Sequence, residues 1–141
     1  MLRANGVAIL FAVALAAPAA SQDKPAADAA AAKRGAATFQ TFCAPCHGAS
    51  ARGDGPMADS LRFAPADLRT IARRNGGRFP AEKIAKIIDG RVHVKGHGGT
   101  DMPIWGDAFK NTREGFDERR VKETIADLTQ YLSTLQQPEE K

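Results

Sequence analysis

The segment Cys43-Ala44-Pro45-Cys46-His47 places two cysteines three residues apart and a histidine directly after the second one. Two thiols at this spacing can each add to one vinyl group of a porphyrin, and the following imidazole can then ligate the iron. The spacing is restrictive because the vinyl groups and the iron belong to one rigid macrocycle. The pattern is typical of c-type haem attachment, and the chain has no other cysteine. We therefore predict one covalent haem c, held by Cys43 and Cys46 and ligated by His47.

Other chemistries can use the same two cysteines. A redox-active dithiol also has two residues between its cysteines, but it requires a βαβ context, and the sequence shows no strand pattern. A zinc site could combine the cysteines with His93 and His97. Zinc fingers, however, separate the two pairs by about 12–15 residues, far fewer than here, and this site would leave His47 without a role. A structural disulfide is the third alternative.

Four residues outside the motif are candidates for the second axial ligand: Met57, Met102, His93 and His97. Met102 precedes Pro103, which removes a backbone donor and fixes an extended course, as a ligand on a loop requires. A thioether is a soft, uncharged ligand, and His/Met ligation raises the potential of a haem. Met57 follows His47 so closely that the chain would have to cross the porphyrin edge at once. We predict Met102; His97 is the next candidate and would give a lower potential.

The N-terminus has the features of an export signal. An unbroken apolar run from Val7 to Ala17 follows a single charge at Arg3, and Ala17-Pro18-Ala19 fits an A-x-A cleavage site. A membrane-spanning helix needs about 20 apolar residues, and this run is shorter. We predict a cleaved signal peptide over residues 1–19 and a periplasmic protein without a transmembrane span. A retained signal would instead anchor the chain to the membrane.

The remainder, about 120 residues, suffices for one small domain with a modest core. Residues 20–34 are rich in alanine and predict a tether, whose end joins a helix near Asp28. We predict one domain over residues 35–136 and a disordered tail over residues 137–141.

Apolar residues recur at helical spacing, so we predict an all-α fold. The predicted helices run from near Asp28 to Cys43, from Asp67 to Asn75, from Pro80 to Gly90 and from Asp117 to Gln136. The predicted loops are residues 48–66, with one helical turn near Met57 to Leu61, and residues 91–116. Wrapping around a ligand would explain so long a loop as the second one in a small domain.

The net charge of +4 is too small to identify a partner. Arg69 and Arg73 lie four residues apart, and Arg74 and Arg78 follow closely. This cluster either faces an anion, such as a haem propionate or an acidic patch on a redox partner, or forms an ordinary solvated surface. Nucleic acid is not an expected partner, because the chain is exported and its basic residues are not interleaved with aromatic ones.

These features together resemble the class I c-type cytochromes, small bacterial monohaem electron carriers, over about residues 35–135. The resemblance implies a cytochrome c-like fold, in which short helices and loops wrap around one haem and the N- and C-terminal helices cross. Gly35 and Phe39 match the family's pattern in the first helix. The resemblance implies that the glycine lets the last helix cross closely, and Leu128 and Tyr131 are the residues of the last helix at this crossing.

Two further segments match this family, Gly55-Pro56 and Met102-Pro103-x-Trp105-Gly106. The first implies that the carbonyl of Pro56 accepts a hydrogen bond from the ring of His47 and fixes its orientation. The second implies that Met102 is the distal ligand and that Trp105 belongs to the haem pocket.

We therefore predict an exported monohaem cytochrome that transfers single electrons by Fe(II)/Fe(III) cycling. Its expected partners are dehydrogenases, oxidases or other cytochromes. Two protein ligands leave no open position on the iron, so we do not predict an enzyme. One alternative is a haem-bearing electron-transfer subunit of a dehydrogenase or oxidase complex. Another is a haem enzyme or sensor in which Met102 leaves the iron.

Overall fold

The structure is a computed structural model that describes residues 23–92, 102–112 and 115–138. Within these ranges the chain forms the helices α1 (Asp23–Phe42), α2 (Ala44–His47), α3 (Ala81–Ile88), α4 (Trp105–Lys110) and α5 (Glu118–Thr134). Three 3-10 turns lie at Ala58–Ser60, Leu68–Thr70 and Arg73–Asn75. The described ranges contain no strand, and the predicted all-α fold is confirmed.

Several predictions concern residues outside the described ranges. These are the signal peptide over residues 1–19, the two loop histidines His93 and His97, and the last three residues of the predicted tail. In the part of the chain that the structure describes, no helix combines the length and the apolar character needed to cross a membrane.

The helices α1 and α5 cross in direct contact at Gly35. A Cβ atom at this position would lie 2.0 Å from the carbonyl oxygen of Asp127 and 2.9 Å from Cβ of Tyr131, so only glycine permits the approach. Beside the crossing, Arg34 Nε donates a hydrogen bond to Asp127 Oδ2 at 2.7 Å. The N- and C-terminal helices therefore cross as predicted.

The core lies between α5, α1 and α4. α5 contributes a buried stripe at steps of three and four residues: Val121, Ile125, Leu128 and Leu132. Phe39 of α1 and Phe109 of α4 are almost completely buried. The ring of Phe109 lies 5.4 Å from that of Phe42 and 5.4 Å from that of Trp105, at separations typical of favourable aromatic pairs. These contacts fix the short helix α4, which the sequence did not predict, against the rest of the domain.

The first helix begins earlier than predicted, at Asp23 rather than near Asp28. The alanines from 26 to 32 have the highest intrinsic helix propensity and carry the helix back through most of the predicted tether. Pro25 is compatible with this start because the first-turn amides of a helix have no partner within it.

The predicted helix from Asp67 to Asn75 is wrong, because this segment forms two 3-10 turns instead. Asp67 Oδ1 accepts from the amide of Arg69 at 2.9 Å, and Thr70 Oγ1 donates to the carbonyl of Asp67 at 3.0 Å. Such local bonds from side chain to backbone compete with the α-helical pattern. The segment ends at Gly76 in the left-handed conformation, with φ of +66°.

We expect Gly35→Ala to destabilise the domain, because the added methyl would overlap the backbone of Asp127. Overpacking of this kind costs about 1–3 kcal/mol, measured as the change in the free energy of unfolding by urea. Ala37→Ser, at an exposed position of the same helix, is the control and should change stability by no more than about 0.5 kcal/mol. Equal stability of both variants would contradict the close crossing.

Candidate haem site

The two cysteines lie where α1 ends and α2 begins. The Cys43 amide donates to the carbonyl of Phe39 at 2.9 Å, and the His47 amide donates to the carbonyl of Cys43 at 2.8 Å, so the motif forms one helical turn. Both cysteines are free thiols, and no disulfide joins them. Burial, and to a lesser degree the neighbouring Cys46, raise the pKa of Cys43 to about 12. The Cys43 thiol is therefore protonated at neutral pH.

The loop after the motif folds back beneath α2. The amide of Gly55 donates to the carbonyl of Cys46 at 3.1 Å. The amide of Met57 donates to the carbonyl of Pro45 at 2.9 Å. A Cβ atom on Gly55 would lie 2.5 Å from the Pro45 oxygen, so the chain passes this closely only without a side chain. The amides of Gly55 and Met57 thus bond to two carbonyl groups at the end of α2 that have no partner within the helix.

The ring of His47 meets the carbonyl of a more distant loop. Its Nδ1 atom lies 3.2 Å from the carbonyl oxygen of Ala66. Because a carbonyl only accepts, Nδ1 carries the proton and Nε2 keeps the lone pair that a metal ligand needs. Burial lowers the pKa of His47, against an opposing effect of the Ala66 bond, and this favours the neutral imidazole.

The prediction that Pro56 supplies this carbonyl is therefore wrong. Pro56 is exposed, and the residues on either side of it, Gly55 and Met57, donate hydrogen bonds to carbonyl groups of α2. Ala66 takes the place of Pro56 because the chain returns to the histidine side after the turn at Ala58–Ser60. There the amide of Leu68 donates to the carbonyl of Ala51 at 2.9 Å and holds this return in place.

A cavity of about 160 Å³, open in part to solvent, lies beside His47. The wall is almost entirely apolar, and its members come from α1, the motif, the 3-10 turns, α3, α4 and α5: Phe39, Cys43, His47, Ala66, Leu68, Ile71, Arg74, Ile84, Ile87, Ile88, Met102, Trp105, Leu128 and Leu132. Arg74 is the one residue of this wall with a permanent charge.

Four predicted site residues meet at this cavity. Cys43 and His47 reach it from the motif, and Met102 and Trp105 reach it from the second half of the chain. The two candidate axial ligands thus line the same space although they lie far apart in the sequence. Of the other predictions, Cys46 is half-buried within α2 and is not part of the wall.

Met57, the alternative ligand from the first loop, is 49% exposed and does not line the cavity. The histidines of the alternative zinc and bis-His sites are outside the described residues. Among the residues that the structure describes, no cluster of three His, Cys, Asp or Glu side chains could hold a bare metal ion.

The lining of the cavity shows what kind of ligand it suits. Its wall is apolar, and His47 and Met102 offer a nitrogen and a sulfur donor atom. Trp105 adds a buried indole N–H that has no hydrogen-bond partner within the described part of the chain, and such a donor costs about 1–3 kcal/mol. A haem, with its flat apolar ring and its iron, fits this lining.

Residues 30–132 match the protein family described as cytochrome C oxidase, cbb3-type, subunit III. The chain belongs to this family. The match identifies a c-type cytochrome domain, so the resemblance to class I cytochromes is confirmed, and with it haem-based electron transfer. No curated protein and no solved structure shows significant similarity to the chain.

A glutamine joins the end of α5 of this cytochrome to the wall of the cavity. Gln136 Oε1 accepts from the amide of Ala72 at 2.8 Å, and Nε2 donates to the carbonyl of Leu68 at 2.9 Å. In an α-helix that amide and that carbonyl would bond to each other. The side-chain amide stands between them, which also explains why the predicted helix does not form. Nε2 also donates a hydrogen bond to the carbonyl of Leu132 in α5, at 2.7 Å.

Three features of this cytochrome site could not be predicted from the sequence. Ile84, Ile87 and Ile88 lie at helical spacing, which does not distinguish a core from a cofactor wall. Gln136 carries no sequence signal, because a glutamine at the end of a helix is usually solvated. The hydrogen bond to Ala66 is equally hidden, since any residue type can supply a carbonyl.

We expect Gln136→Leu to destabilise the haem-loaded cytochrome by about 1–3 kcal/mol, because it leaves a backbone donor and acceptor without partners. It should also change the reduction potential, since the turn that carries Ala66 loses its attachment to α5. Gln137→Leu is the matched control, because Gln137 bonds to Arg69 through its backbone amide, at 2.9 Å. Equal effects of the two variants on urea unfolding and potential would contradict the assignment.

The pair of Asp67 and Arg69 predicts a pH dependence of stability. The side-chain hydrogen bonds from Arg69 lower the pKa of Asp67. The charged pair therefore stabilises the fold above the ordinary carboxyl pKa of about 3.9, and this contribution is lost as pH falls through the lowered value. We expect Asp67→Asn, which keeps the turn-capping oxygen, to cost about 0.2–1 kcal/mol at neutral pH.

Urea unfolding of the wild type and of Asp67→Asn at a series of pH values tests this dependence. The two free energies of unfolding should converge as the pH falls below 4. A difference that stays constant down to the lowest pH would show that the charge of Asp67 does not stabilise the fold.

Proposed function

We propose that the chain is an exported cytochrome with one haem c, which carries single electrons between redox partner proteins. The observation that carries this proposal is the meeting of Cys43, His47 and Met102 at one apolar cavity. Membership of the c-type cytochrome family supports it. When bound, the haem supplies a one-electron Fe(II)/Fe(III) couple.

Each residue of the site has a distinct proposed role. Cys43 and Cys46 attach the haem through thioether bonds. His47 ligates the iron through Nε2, while the Ala66 carbonyl holds the other ring nitrogen and so orients the imidazole. Met102 would supply a second ligand to the iron. With ligands from both His47 and Met102, the iron would have no position left for a substrate, and the domain would serve as an electron carrier rather than a catalyst.

The apolar wall contributes to the same role. It would limit the contact of a bound porphyrin ring with water. Trp105 is the proposed donor to a haem carboxylate, which would give its buried N–H an acceptor that the described residues do not supply.

The location follows from the N-terminal sequence. We propose that residues 1–19 are a cleaved signal peptide and that the mature chain works in the periplasm. Residues 20–34 then connect that site to the domain over residues 35–136, and most of this connection is the beginning of α1. The tail predicted over residues 137–141 is shorter by at least one residue, because the amide of Gln137 donates to the carbonyl of Arg69 at 2.9 Å.

A second candidate function is that of a haem-bearing subunit in an oxidase complex. The description of the matched family, subunit III of a cbb3-type oxidase, favours it. Purification from the native membrane and periplasmic fractions distinguishes the two functions. A free monomer supports the carrier, and co-elution with a larger oxidase or dehydrogenase subunit supports the complex.

The assignment of Met102 predicts a spectroscopic change. The oxidised wild type should show a charge-transfer band between methionine sulfur and iron. Met102→Ala should abolish this band, and Met102→His should lower the reduction potential, because imidazole replaces the thioether that raises it. Met57→Leu, at the exposed methionine, is the control and should leave band and potential unchanged.

Persistence of the band in Met102→Ala would overturn the assignment, as would its loss in Met57→Leu. Persistence of the band in the wild type over the working pH range would also exclude the alternative in which Met102 leaves the iron during function.

A further inference from the structure

The end of α3 and the start of α4 are in close contact at two glycines. A Cβ atom on Gly90 would lie 2.3 Å from Cγ2 of Ile104 and 3.1 Å from its Cβ. A Cβ atom on Gly106 would lie 2.2 Å from Oδ1 of Asp89 and 2.9 Å from the Asp89 carbonyl oxygen. Each segment thus supplies one glycine and one residue that packs on the glycine of the other. We call Asp89, Gly90, Ile104 and Gly106 the glycine interlock.

Rotation of a side chain would not make room for a methyl group on either glycine. Ile104 is branched at Cβ, and both of its γ carbons lie within 3.1 Å of a Cβ atom on Gly90, as does its own Cβ. On the other side, the carbonyl oxygen of Asp89 belongs to the backbone. Carbon atoms in ordinary contact are about 3.5–4.0 Å apart. A side chain on either glycine would therefore move the end of α3 away from the start of α4.

Helix propensity does not account for the glycine at position 106. Gly106 is buried and lies within α4, where alanine would favour the helix more than glycine does. The close approach of Asp89 gives a reason for the missing side chain that the helix itself does not give. The interlock is thus a property of the contact between α3 and α4.

The glycine interlock lies beside the wall of the haem cavity. Ile87 and Ile88, which line the cavity, come directly before it in the chain, and Trp105 lines the cavity from between Ile104 and Gly106. Met102, the proposed second ligand, precedes Ile104 by two residues. The residue between them is a proline with a fixed φ, so a displacement of Ile104 reaches Met102 through a short and restricted connection.

We propose that the glycine interlock positions Met102 on the iron and thereby keeps the iron closed to external ligands; this inference rests on the proposed function. None of the four residues lines the cavity, so they act as positioning residues. Metal–ligand distances vary by only about 0.2 Å, whereas contact with a methyl group on Gly90 would displace Ile104 by about 1 Å. An external ligand binds only while Met102 is off the iron, so its apparent affinity rises with the population of that state.

The test uses the full chain, loaded with haem and oxidised, and the probe is imidazole, a neutral nitrogen ligand for Fe(III). Imidazole is titrated while the charge-transfer band between methionine sulfur and iron is followed. The variant is Gly90→Ala, and the matched control is Gly76→Ala. Both glycines are left-handed, with φ of +81° and +66°, but a Cβ atom on Gly76 would meet no atom within 4 Å. The control therefore carries the backbone strain without the overlap.

We expect Gly90→Ala to weaken the band and to bind imidazole at least about tenfold more tightly than the wild type, because overpacking energies reach this factor. Gly76→Ala should bind imidazole within about twofold of the wild type. Gly106→Ala should act like Gly90→Ala, although alanine favours α4. Gly90→Ala should have a much smaller effect when Ile104→Ala is also present, because the overlapping γ carbons are then absent.

The outcomes separate this proposal from the proposed function. Equal imidazole affinities of Gly90→Ala and Gly76→Ala, in a protein whose wild type shows the band, would overturn the interlock and leave the electron carrier intact. A wild type without the band would overturn Met102 as ligand and the interlock with it. Haem content and urea unfolding are recorded first. Where Gly90→Ala does not retain haem, Gly106→Ala decides, and an unchanged imidazole affinity of that variant would overturn the proposal.

Discussion

The hydrogen bond between Nδ1 of His47 and the carbonyl of Ala66 joins the two halves of the site, and the rest of the structure keeps its two ends in place. On one side, α1 runs directly into the motif. On the other, the turn after Ala66 is tied to α5 by Gln136. α5 in turn crosses α1 at Gly35 without space for a side chain. Through these contacts, α1 and α5 together hold both partners of the hydrogen bond at His47 in place.

Beside the filled core, the same helices border an apolar cavity. The same α5 stripe that packs on α1 supplies Leu128 and Leu132 to the cavity, and α3 presents its isoleucines to it. Such a wall gains most of its stabilisation only when an apolar group fills it, because unfilled space forfeits contacts on one side. A haem would thus complete the core and supply the chemistry at once.

How far the sequence predicts this arrangement depends on the kind of interaction. The haem motif and the apolar stripe of α5 are properties of residue types at fixed spacings and could be read directly, whereas the helix crossing at Gly35 was implied by the resemblance to class I cytochromes. The segment from Asp67 to Asn75 was predicted as a helix, because its apolar spacing is helical. The side-chain amide of Gln136, far along the chain, bonds to the Ala72 amide and the Leu68 carbonyl and so prevents the helix. Likewise, the carbonyl that meets His47 was assigned to Pro56 by resemblance, but backbone groups are common to all residues and only the path of the chain selects among them.

Every role described above depends on a haem that is covalently attached to Cys43 and Cys46 of this chain. The most direct measurement is mass spectrometry of the peptide that contains both cysteines, together with a pyridine haemochrome spectrum, on protein matured by a c-type haem attachment system. We predict the mass of one haem on that peptide and a haemochrome with both vinyl groups saturated. A colourless protein, or a pigment that acid acetone extracts, would contradict the account.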